Sequence, residues 1–324
     1  MIDKLNRNIE YLRISVTDRC NLRCTYCMPE EGVPEIKHED ILSFDEIIKI
    51  CKVVAKLGIK KIKITGGEPL VRKGIVELIR EINDIDGIDE ITMTSNGVLL
   101  NEMVEDLKDA GVSAINVSLD TLNRENFAKI TRRDKMDDVI NGIKKSVKLG
   151  IKTKINCLVI KEHNYDELCD IARLAKDDNI QVRFIELMPI GCGKQFTGIP
   201  NEEILKMLED EFGEFEVVKE KLGNGPARYY KNKDFKGCIG FISAISNEFC
   251  EECNRVRLTS NGFLKLCLHY NKGIDLREPL RNGISDDDLK DKIYKAIYNK
   301  PIHHEFYKYN SVDVEEKNMV EIGG

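Results

Sequence analysis

The sequence predicts an α/β protein in which an open (β/α)6 partial barrel of parallel strands is followed by a smaller C-terminal region. Strand-like and helix-like apolar patterns alternate over about the first two hundred residues, with short polar breaks between them. The alternation stops near residue 190, where loop-forming residues begin. With 324 residues and 42% apolar content, the chain can bury a full core.

The first βα unit begins with a strand over Tyr11–Val16. Ser43 and Glu46 have the spacing of a capping box, which predicts a helix that ends near Gly58. The next predicted elements alternate as strand and helix: Lys60–Thr65, Val71–Ile82, Ile91–Thr94, Asn101–Ala110 and Ala114–Leu119. A helix, a strand, a helix and a strand then complete the units: residues 137–149, 151–160, 165–178 and 180–187. Right-handed crossovers place the loops that follow these strands on one face, where such folds carry their sites.

The second region is less regular. Its predicted elements are a loop, a helix, a turn and a strand, in the order 191–193, Asn201–Phe212, 223–226 and 237–242. A second group of cysteines and a mostly helical tail follow. We therefore divide the chain into residues 1–195 and 196–324, and the course of residues 191–241 stays open.

Charge and hydropathy exclude several classes of protein. The net charge of −6 disfavours a nucleic-acid partner, although local basic clusters can still bind a small polyanion. No segment has the roughly 18 consecutive apolar residues of a membrane span, and Met1–Leu5 do not open a signal peptide. We therefore expect a cytoplasmic protein that binds neither nucleic acid nor membrane.

Two groups of three cysteines stand out among the eleven of the chain. Cys20, Cys24 and Cys27 have CxxxCxxC spacing, and the second group consists of Cys250, Cys253 and Cys267. Three thiolates leave one iron of a [4Fe–4S] cluster without a protein ligand, so each group predicts a cluster with an open iron. The second group, with His269, could alternatively bind zinc as a small structural site. The remaining thiols are expected to be buried and reduced: Cys51, Cys157, Cys169, Cys192 and Cys238.

The first group, with Tyr26 before its last cysteine, and the turn Gly66–Pro69 resemble the S-adenosylmethionine (SAM) radical enzymes. The segments Leu12–Cys20 and Phe249–Thr259, together with the terminal diglycine, resemble more narrowly the GTP 3',8-cyclases of molybdenum cofactor biosynthesis. The resemblance covers nearly the whole chain. It implies a partial TIM barrel of the radical SAM type, whose C-terminal region carries a second [4Fe–4S] cluster.

The resemblance implies an enzyme with two [4Fe–4S] clusters and SAM as cofactors. It would convert GTP to (8S)-3',8-cyclo-7,8-dihydroguanosine 5'-triphosphate, the first step of molybdopterin synthesis, after a 5'-deoxyadenosyl radical removes the ribose C3' hydrogen. Two alternatives remain open from the sequence. One is another radical SAM enzyme with an auxiliary cluster, such as a peptide maturase, and the other is a zinc-containing binding protein without turnover.

The resemblance also implies contacts to SAM. Tyr26, Ser118 and Met188 match SAM-binding positions of the family. Gly66 and Gly67 would let the backbone approach the methionine part of SAM, and Glu68 would accept hydrogen bonds from its ammonium group.

The open iron of the second cluster would face guanine, and cationic side chains would bind the triphosphate. By resemblance the GTP contacts include Arg13, Lys63, Thr94, Lys154, Arg255, Val256 and Arg257, with Lys61 and Arg183 as helpers. Many members of the family have arginine at the position of Lys63, so the charge is kept here without the bidentate geometry. Gly323 and Gly324 would enter the barrel and assist the radical chemistry beside Arg13, Arg255 and Arg257.

The partners implied by the resemblance are GTP, SAM, an electron donor such as flavodoxin or ferredoxin, and a cyclic pyranopterin monophosphate synthase that receives the product. The sequence does not identify the physiological donor, the cluster potentials or any direct contact with the synthase. It also leaves the oligomeric state open, a homodimer included.

Overall fold

The computed structural model describes residues 1–34, 36–220, 222–247, 249–304 and 314–323. Its strands are β1 Tyr11–Ser15, β2 Lys61–Thr65, β3 Glu90–Ser95, β4 Val112–Ser118, β5 Lys152–Val159, β6 Gln181–Glu186, β7 Glu216–Val217, β8 Arg228–Lys231, β9 Cys238–Ile242, β10 Arg255–Leu258, β11 Phe263–Lys265 and β12 Gly273–Asp275. Its α-helices are α1 Phe44–Lys56, α2 Ile75–Asn83, α3 Leu100–Asp109, α4 Arg124–Thr131, α5 Met136–Lys148, α6 Lys161–Asn164, α7 Leu168–Asp177, α8 Asn201–Phe212, α9 Arg277–Arg281, α10 Asp286–Tyr298 and α11 Met319–Ile322. Among these helices none is both long and apolar enough for a membrane span.

The strands form one open sheet in the order β12-β11-β10-β1-β2-β3-β4-β5-β6-β9-β8-β7. The strands β1 to β6 are parallel neighbours, as the six predicted βα units require. The predicted open partial barrel is therefore confirmed. The C-terminal region adds a parallel strand at each side, β10 next to β1 and β9 next to β6. Antiparallel strands then form both edges of the sheet.

Several local predictions differ from the structure. No strand was predicted within the second cysteine group, but β10 and β11 lie between Cys253 and Cys267, and β10 pairs with β1, which is distant in sequence. The tail after Cys267, predicted to be mostly helical, also contains β12. The sequence prediction also left out α4, which Asn123 caps by accepting a hydrogen bond from Asn126 N at 3.0 Å. The predicted capping box of α1 is present, with Glu46 N to Ser43 Oγ at 3.1 Å and Ser43 N to Glu46 Oε2 at 2.7 Å.

Successive residues of the parallel strands face opposite sides of the sheet, one toward the helices and the other toward the barrel interior. Leu12 and Ile14 of β1 are fully buried in the apolar core, together with Ile50 and Val54 of α1. Arg13, which lies between those two strand residues, faces the barrel interior. Each such apolar side chain contributes about 1.5–3 kcal/mol by burial. The apolar layer between sheet and helices thus holds in place an interior lined by polar side chains.

Candidate functional site

A cavity of about 320 Å³ runs through the barrel interior. Its lining extends from the amino ends of the strands, at Glu90 and Lys152, to their carboxyl ends, at Ser118 and Asp120. The structure brings the following predicted site residues to this cavity: Arg13, Tyr26, Lys63, Thr94, Ser118, Lys154, Arg183, Met188, Cys250, Cys253, Arg255, Arg257 and Cys267. The predicted SAM contacts, the predicted GTP contacts and the second cysteine group thus line one cavity.

The first cysteine group lies in the loop that follows β1. Burial, followed by the proximity of the Cys27 thiol, raises the pKa of Cys24 well above its usual value. Donors are directed at Cys20 Sγ, with Leu22 N at 3.4 Å and Asn96 Nδ2 at 3.6 Å. Thiols that lie close together in a half-buried loop, with N–H donors to sulfur, fit the thiolate ligands of an iron–sulfur cluster.

The turn after β2 packs directly on this cysteine loop. Gly67 N donates to Thr17 O at 2.7 Å, and Glu68 N donates to Arg19 O at 2.8 Å. A Cβ atom on Gly67 would lie 2.4 Å from Arg19 O, and one on Gly66 would lie 2.8 Å from Thr17 O. The structure therefore explains both glycines by the close approach of two backbone segments. Their predicted approach to SAM stays a prediction.

Glu68 is fully buried and connects the β2 turn to the end of β3. Its carboxylate accepts hydrogen bonds from Ser95 Oγ at 2.8 Å, Asn96 N at 2.6 Å and Leu70 N at 3.1 Å. Burial raises the pKa of Glu68 to about 7, although these donors oppose the shift. The predicted contact of Glu68 with the SAM ammonium group would be added to this existing network.

Cationic side chains line the middle of the cavity. Lys63, Lys154 and Arg183 are each at most 6% exposed. Burial, and then the charges of Arg183, Arg13 and Lys154, lower the pKa of Lys63 well below its usual value. Burial, and then Arg183 and Lys152, lower the pKa of Lys154 to about 7. Buried cations that repel one another make a site in which a polyanion is strongly favoured.

The second cysteine group lies beside β10 and β11. Cys253 N donates to Cys250 O at 3.2 Å, and Cys267 follows β11 closely. Burial alone would raise the pKa of Cys253, but the charges of Arg255 and Lys300 lower it to about 6. The Arg255 guanidinium also lies 4.8 Å from the centroid of the Phe249 ring. A thiol that ionises near neutral pH fits a metal-bound thiolate.

Neither cysteine group has the geometry of a single-ion site. Within the described ranges, no group of three or more His, Cys, Asp or Glu side chains is placed to hold one metal ion. The thiol environments of both groups therefore fit cluster ligands better than ligands of a single metal ion.

The C-terminal tail reaches the same interior. Arg257 Nη1 donates to Gly323 O at 3.1 Å. Gly323 has φ +75°, and a Cβ atom there would lie 2.8 Å from Ser15 Cβ. Val320 and Ile322 of α11 are each 1% exposed, and the Val320 backbone hydrogen-bonds the Cys27 sulfur. The tail thus contacts both the first cysteine loop and a predicted substrate residue. Gly324 lies outside the described residues.

Two predicted GTP contacts do not line the cavity. The ammonium group of Lys61, at the amino end of β2, pairs with Glu10 Oε1 at 2.6 Å. Val256 is 1% exposed and belongs to the apolar core, because it faces the opposite side of β10 from its neighbours Arg255 and Arg257. Any contact of Val256 with a ligand in the cavity would therefore not use its side chain.

Sequence reasoning missed several polar residues of the cavity. Thr92, Asn116 and Asn156 lie two positions from the predicted residues Thr94, Ser118 and Lys154 on the same strands. The two-residue period of a strand could have identified them. Asp120, at the carboxyl end of β4, was also missed.

Comparisons with known protein families place the chain clearly. Residues 14–175 match the family model described as Radical SAM superfamily, and residues 180–306 match Molybdenum Cofactor Synthesis C. A GTP 3',8-cyclase of Clostridium perfringens strain 13 is 48% identical over 324 residues, which is 100% of both chains. A GTP 3',8-cyclase of Desulforamulus reducens is 50% identical over 308 residues, covering 94% of this chain and 95% of the relative.

Solved structures support the fold. Streptococcus suis SuiB has a TM-score of 0.64 at 16% identity, over 92% of this chain and 68% of that chain. SuiB bound to S-adenosylmethionine has a TM-score of 0.64 at 17% identity, over 90% of this chain and 68% of that chain. At this identity the likeness concerns the fold alone.

Proposed function

The chain belongs to the GTP 3',8-cyclase family of radical SAM enzymes, and from this premise we propose how its residues divide the work. The enzyme is a lyase that converts GTP to (8S)-3',8-cyclo-7,8-dihydroguanosine 5'-triphosphate, the first step of molybdenum cofactor biosynthesis. Its cofactors are [4Fe–4S] clusters and SAM. Family membership removes the two alternatives, a peptide-modifying maturase and a zinc-containing binding protein.

We assign the first cluster to Cys20, Cys24 and Cys27 and the second to Cys250, Cys253 and Cys267. When bound, the reduced first cluster and SAM supply the radical that takes hydrogen from ribose C3'. Tyr26, Ser118 and Met188 line the cavity end nearest the first cysteine loop, which supports their role as SAM contacts. Gly66, Gly67 and Glu68 belong to the turn after β2, which packs against that loop through the hydrogen bonds Gly67 N to Thr17 O and Glu68 N to Arg19 O.

The observation that carries the GTP assignment is the cationic wall between the two cysteine groups. Lys63, Lys154 and Arg183 are buried and Arg13 and Arg257 are half-buried around one cavity. Desolvation is the main cause that lowers the pKa of Lys63, Lys154, Arg13 and Arg257. A triphosphate offers several anionic oxygens to such donors and relieves their mutual repulsion. Thr94 and Arg255 complete the set of contacts in the cavity. Lys61 would act only through the charge that it adds at the amino end of β2.

The C-terminal tail would close the cavity beside Arg257 and Ser15. Gly323 holds its carbonyl on Arg257 and leaves no side chain over Ser15. Hydrogen bonding to this carbonyl orients the Arg257 guanidinium, and we assign Gly323, Gly324, Arg13, Arg255 and Arg257 to positioning the ribose and triphosphate during cyclisation. A closed cavity protects reactive species from water, and the tail would add to this closure.

Further partners follow from the reaction. A one-electron donor such as flavodoxin or ferredoxin would reduce the first cluster, and a cyclic pyranopterin monophosphate synthase would take the product. A cytoplasmic location is supported by the reduced thiols that the clusters need. The division at residue 195 stays a prediction, because strands from both sides pair in one sheet. A homodimer also stays a prediction.

Two cysteine variants test the division of labour. We expect Cys24→Ala to abolish SAM cleavage and Cys253→Ala to retain slow SAM cleavage while losing GTP-dependent product. Cys169→Ala, which changes a half-buried thiol of α7 away from the cavity, is the matched control and should retain both activities. GTP conversion at the normal rate by Cys253→Ala would contradict the assignment of the second site.

A further inference from the structure

Asp120 is a buried carboxylate of the cavity to which neither the family resemblance nor the assignments above give a role. It follows β4 and is 8% exposed. Its Oδ2 accepts a hydrogen bond from Tyr26 Oη at 2.7 Å, and its Oδ1 accepts one from Leu158 N at 2.9 Å. Its backbone oxygen accepts a further bond from Asn164 Nδ2 at 2.8 Å. Leu158 N therefore holds one carboxylate oxygen and Tyr26 contacts the other, while Asn164 holds the backbone of Asp120.

Tyr26 directly precedes the last cysteine of the first group, and its side chain also interacts with the Cys24 sulfur. The phenol and Asp120 both line the cavity, and the hydrogen bond holds the phenol at the carboxyl end of β4. Because a charged acceptor strengthens a hydrogen bond, this contact can hold the peptide between Cys24 and Cys27 in one conformation.

We propose that Asp120 is a positioning residue for SAM, which acts through Tyr26 by fixing the Cys24–Cys27 segment against the ends of β4 and β5. The inference rests on the proposed assignment of this segment to the first cluster and of Tyr26 to SAM. It does not depend on the identity of the second substrate. Asp120 holds the geometry of the SAM site and takes no part in GTP recognition.

A neighbouring carboxylate provides the control for a purely structural role. Glu167 holds the same loop from its other side: its carboxylate accepts from Asn126 Nδ2 at 2.7 Å, Leu122 N at 3.2 Å and Asn123 N at 3.3 Å. Glu167 does not line the cavity, and its carboxylate makes no hydrogen bond to Tyr26 within the part of the chain that the structure describes. If the loop alone mattered, Glu167→Gln would have the same effect as changing Asp120.

The test measures SAM binding without GTP, by equilibrium dialysis of anaerobically reconstituted protein, together with the electron paramagnetic resonance spectrum of the reduced first cluster with SAM. We expect Asp120→Ala and Tyr26→Phe each to weaken SAM binding about tenfold, which is the factor that one hydrogen bond to a charged group represents. The double variant should be no weaker than either single variant. Glu167→Gln should bind SAM within about twofold of the unchanged protein.

The iron content of each variant shows whether the first cluster is still bound, so it separates a loss of positioning from misfolding. Asp120→Asn keeps the side-chain volume and one acceptor, and it should lose part of the SAM affinity while retaining iron. Normal SAM affinity and an unchanged spectrum in both Asp120→Asn and Tyr26→Phe would overturn the proposal. Multiplying losses in the double variant, or an equal loss in Glu167→Gln, would overturn it too. Since GTP is absent, failure of the proposed cyclase function would leave these results unaltered.

Discussion

Replacing Gly67 with alanine tests whether the β2 turn supports the first cluster. The added Cβ atom would lie 2.4 Å from Arg19 O and 2.7 Å from both Arg19 C and Asp18 O. All three are backbone atoms of the cysteine loop, so no side-chain rotation relieves the overlap. One segment must move by roughly 1 Å to reach ordinary van der Waals distance.

Forcing extra volume into a packed site costs about 1–3 kcal/mol when side chains can adjust. Because backbone opposes backbone at Gly67, we expect a destabilisation at or above the upper end of that range. The hydrogen bonds Gly67 N to Thr17 O and Glu68 N to Arg19 O would be lost with the displacement. The loop that carries Cys20 would move with them, and the first cluster should be retained poorly.

The assay compares iron and sulfide per protein and the thermal midpoint after anaerobic reconstitution. Gly67→Ala should hold only about the iron of the second cluster. The matched control is Gly150→Ala, where φ is +74° but no atom lies within 4 Å of the new Cβ. That control should lose about 1–2 kcal/mol through backbone strain alone and retain both clusters. A Gly67→Ala protein with full iron that fails only to bind SAM would refute the packing argument and support a direct glycine–SAM contact.

Three further predictions address the substrate end of the cavity. Arg257→Ala should retain GTP-independent SAM cleavage but raise the GTP concentration needed for product by at least about tenfold. Its control is Arg281→Ala, which removes an exposed guanidinium paired with Glu46 and should leave both activities unchanged. Equal loss of SAM cleavage and GTP conversion in Arg257→Ala would contradict the assignment. Truncation after Ile322 should leave iron content and most GTP binding intact yet reduce cyclisation, and normal turnover of the truncated protein would show that the tail has no catalytic role. GTP affinity should fall as pH rises above about 7, because burial lowers the pKa of Lys154 to about 7 and only its protonated form attracts the triphosphate. Isothermal titration calorimetry between about pH 6.5 and 8.5 measures this, and an unchanged slope in Lys154→Met would assign the pH dependence to other groups.

Local signals predicted most of the barrel. The Ser43–Glu46 capping box and the apolar period of α1 are both present, because they depend only on neighbouring residues. Helix α2 begins at Ile75, later than the predicted Val71, because Gly74 with φ +77° makes a turn first. Strands β10 to β12 were not predicted as a set, because each is only three or four residues long and the set joins the main sheet through the pairing of β10 with β1, which is distant in sequence.

The site was predictable where residues carry a motif. The cysteines, Arg255 and Arg257 are found by spacing, and the alternation in β10 brings both arginines to the cavity. Asp120 carries no motif, and its partner Tyr26 lies 94 positions away in the chain, so only the folded structure brings them together. Gly66 and Gly67 were predicted as site residues on the basis of SAM, whereas the structure shows that the cysteine loop requires them.

The most direct test of the central claim is deuterium transfer. Reconstituted, reduced protein would be incubated anaerobically with SAM and GTP deuterated at C3'. The deuterium content of the 5'-deoxyadenosine formed would then be measured by mass spectrometry. The account predicts deuterated 5'-deoxyadenosine whose formation depends on GTP. Unlabelled 5'-deoxyadenosine, formed at a rate indifferent to GTP, would contradict it.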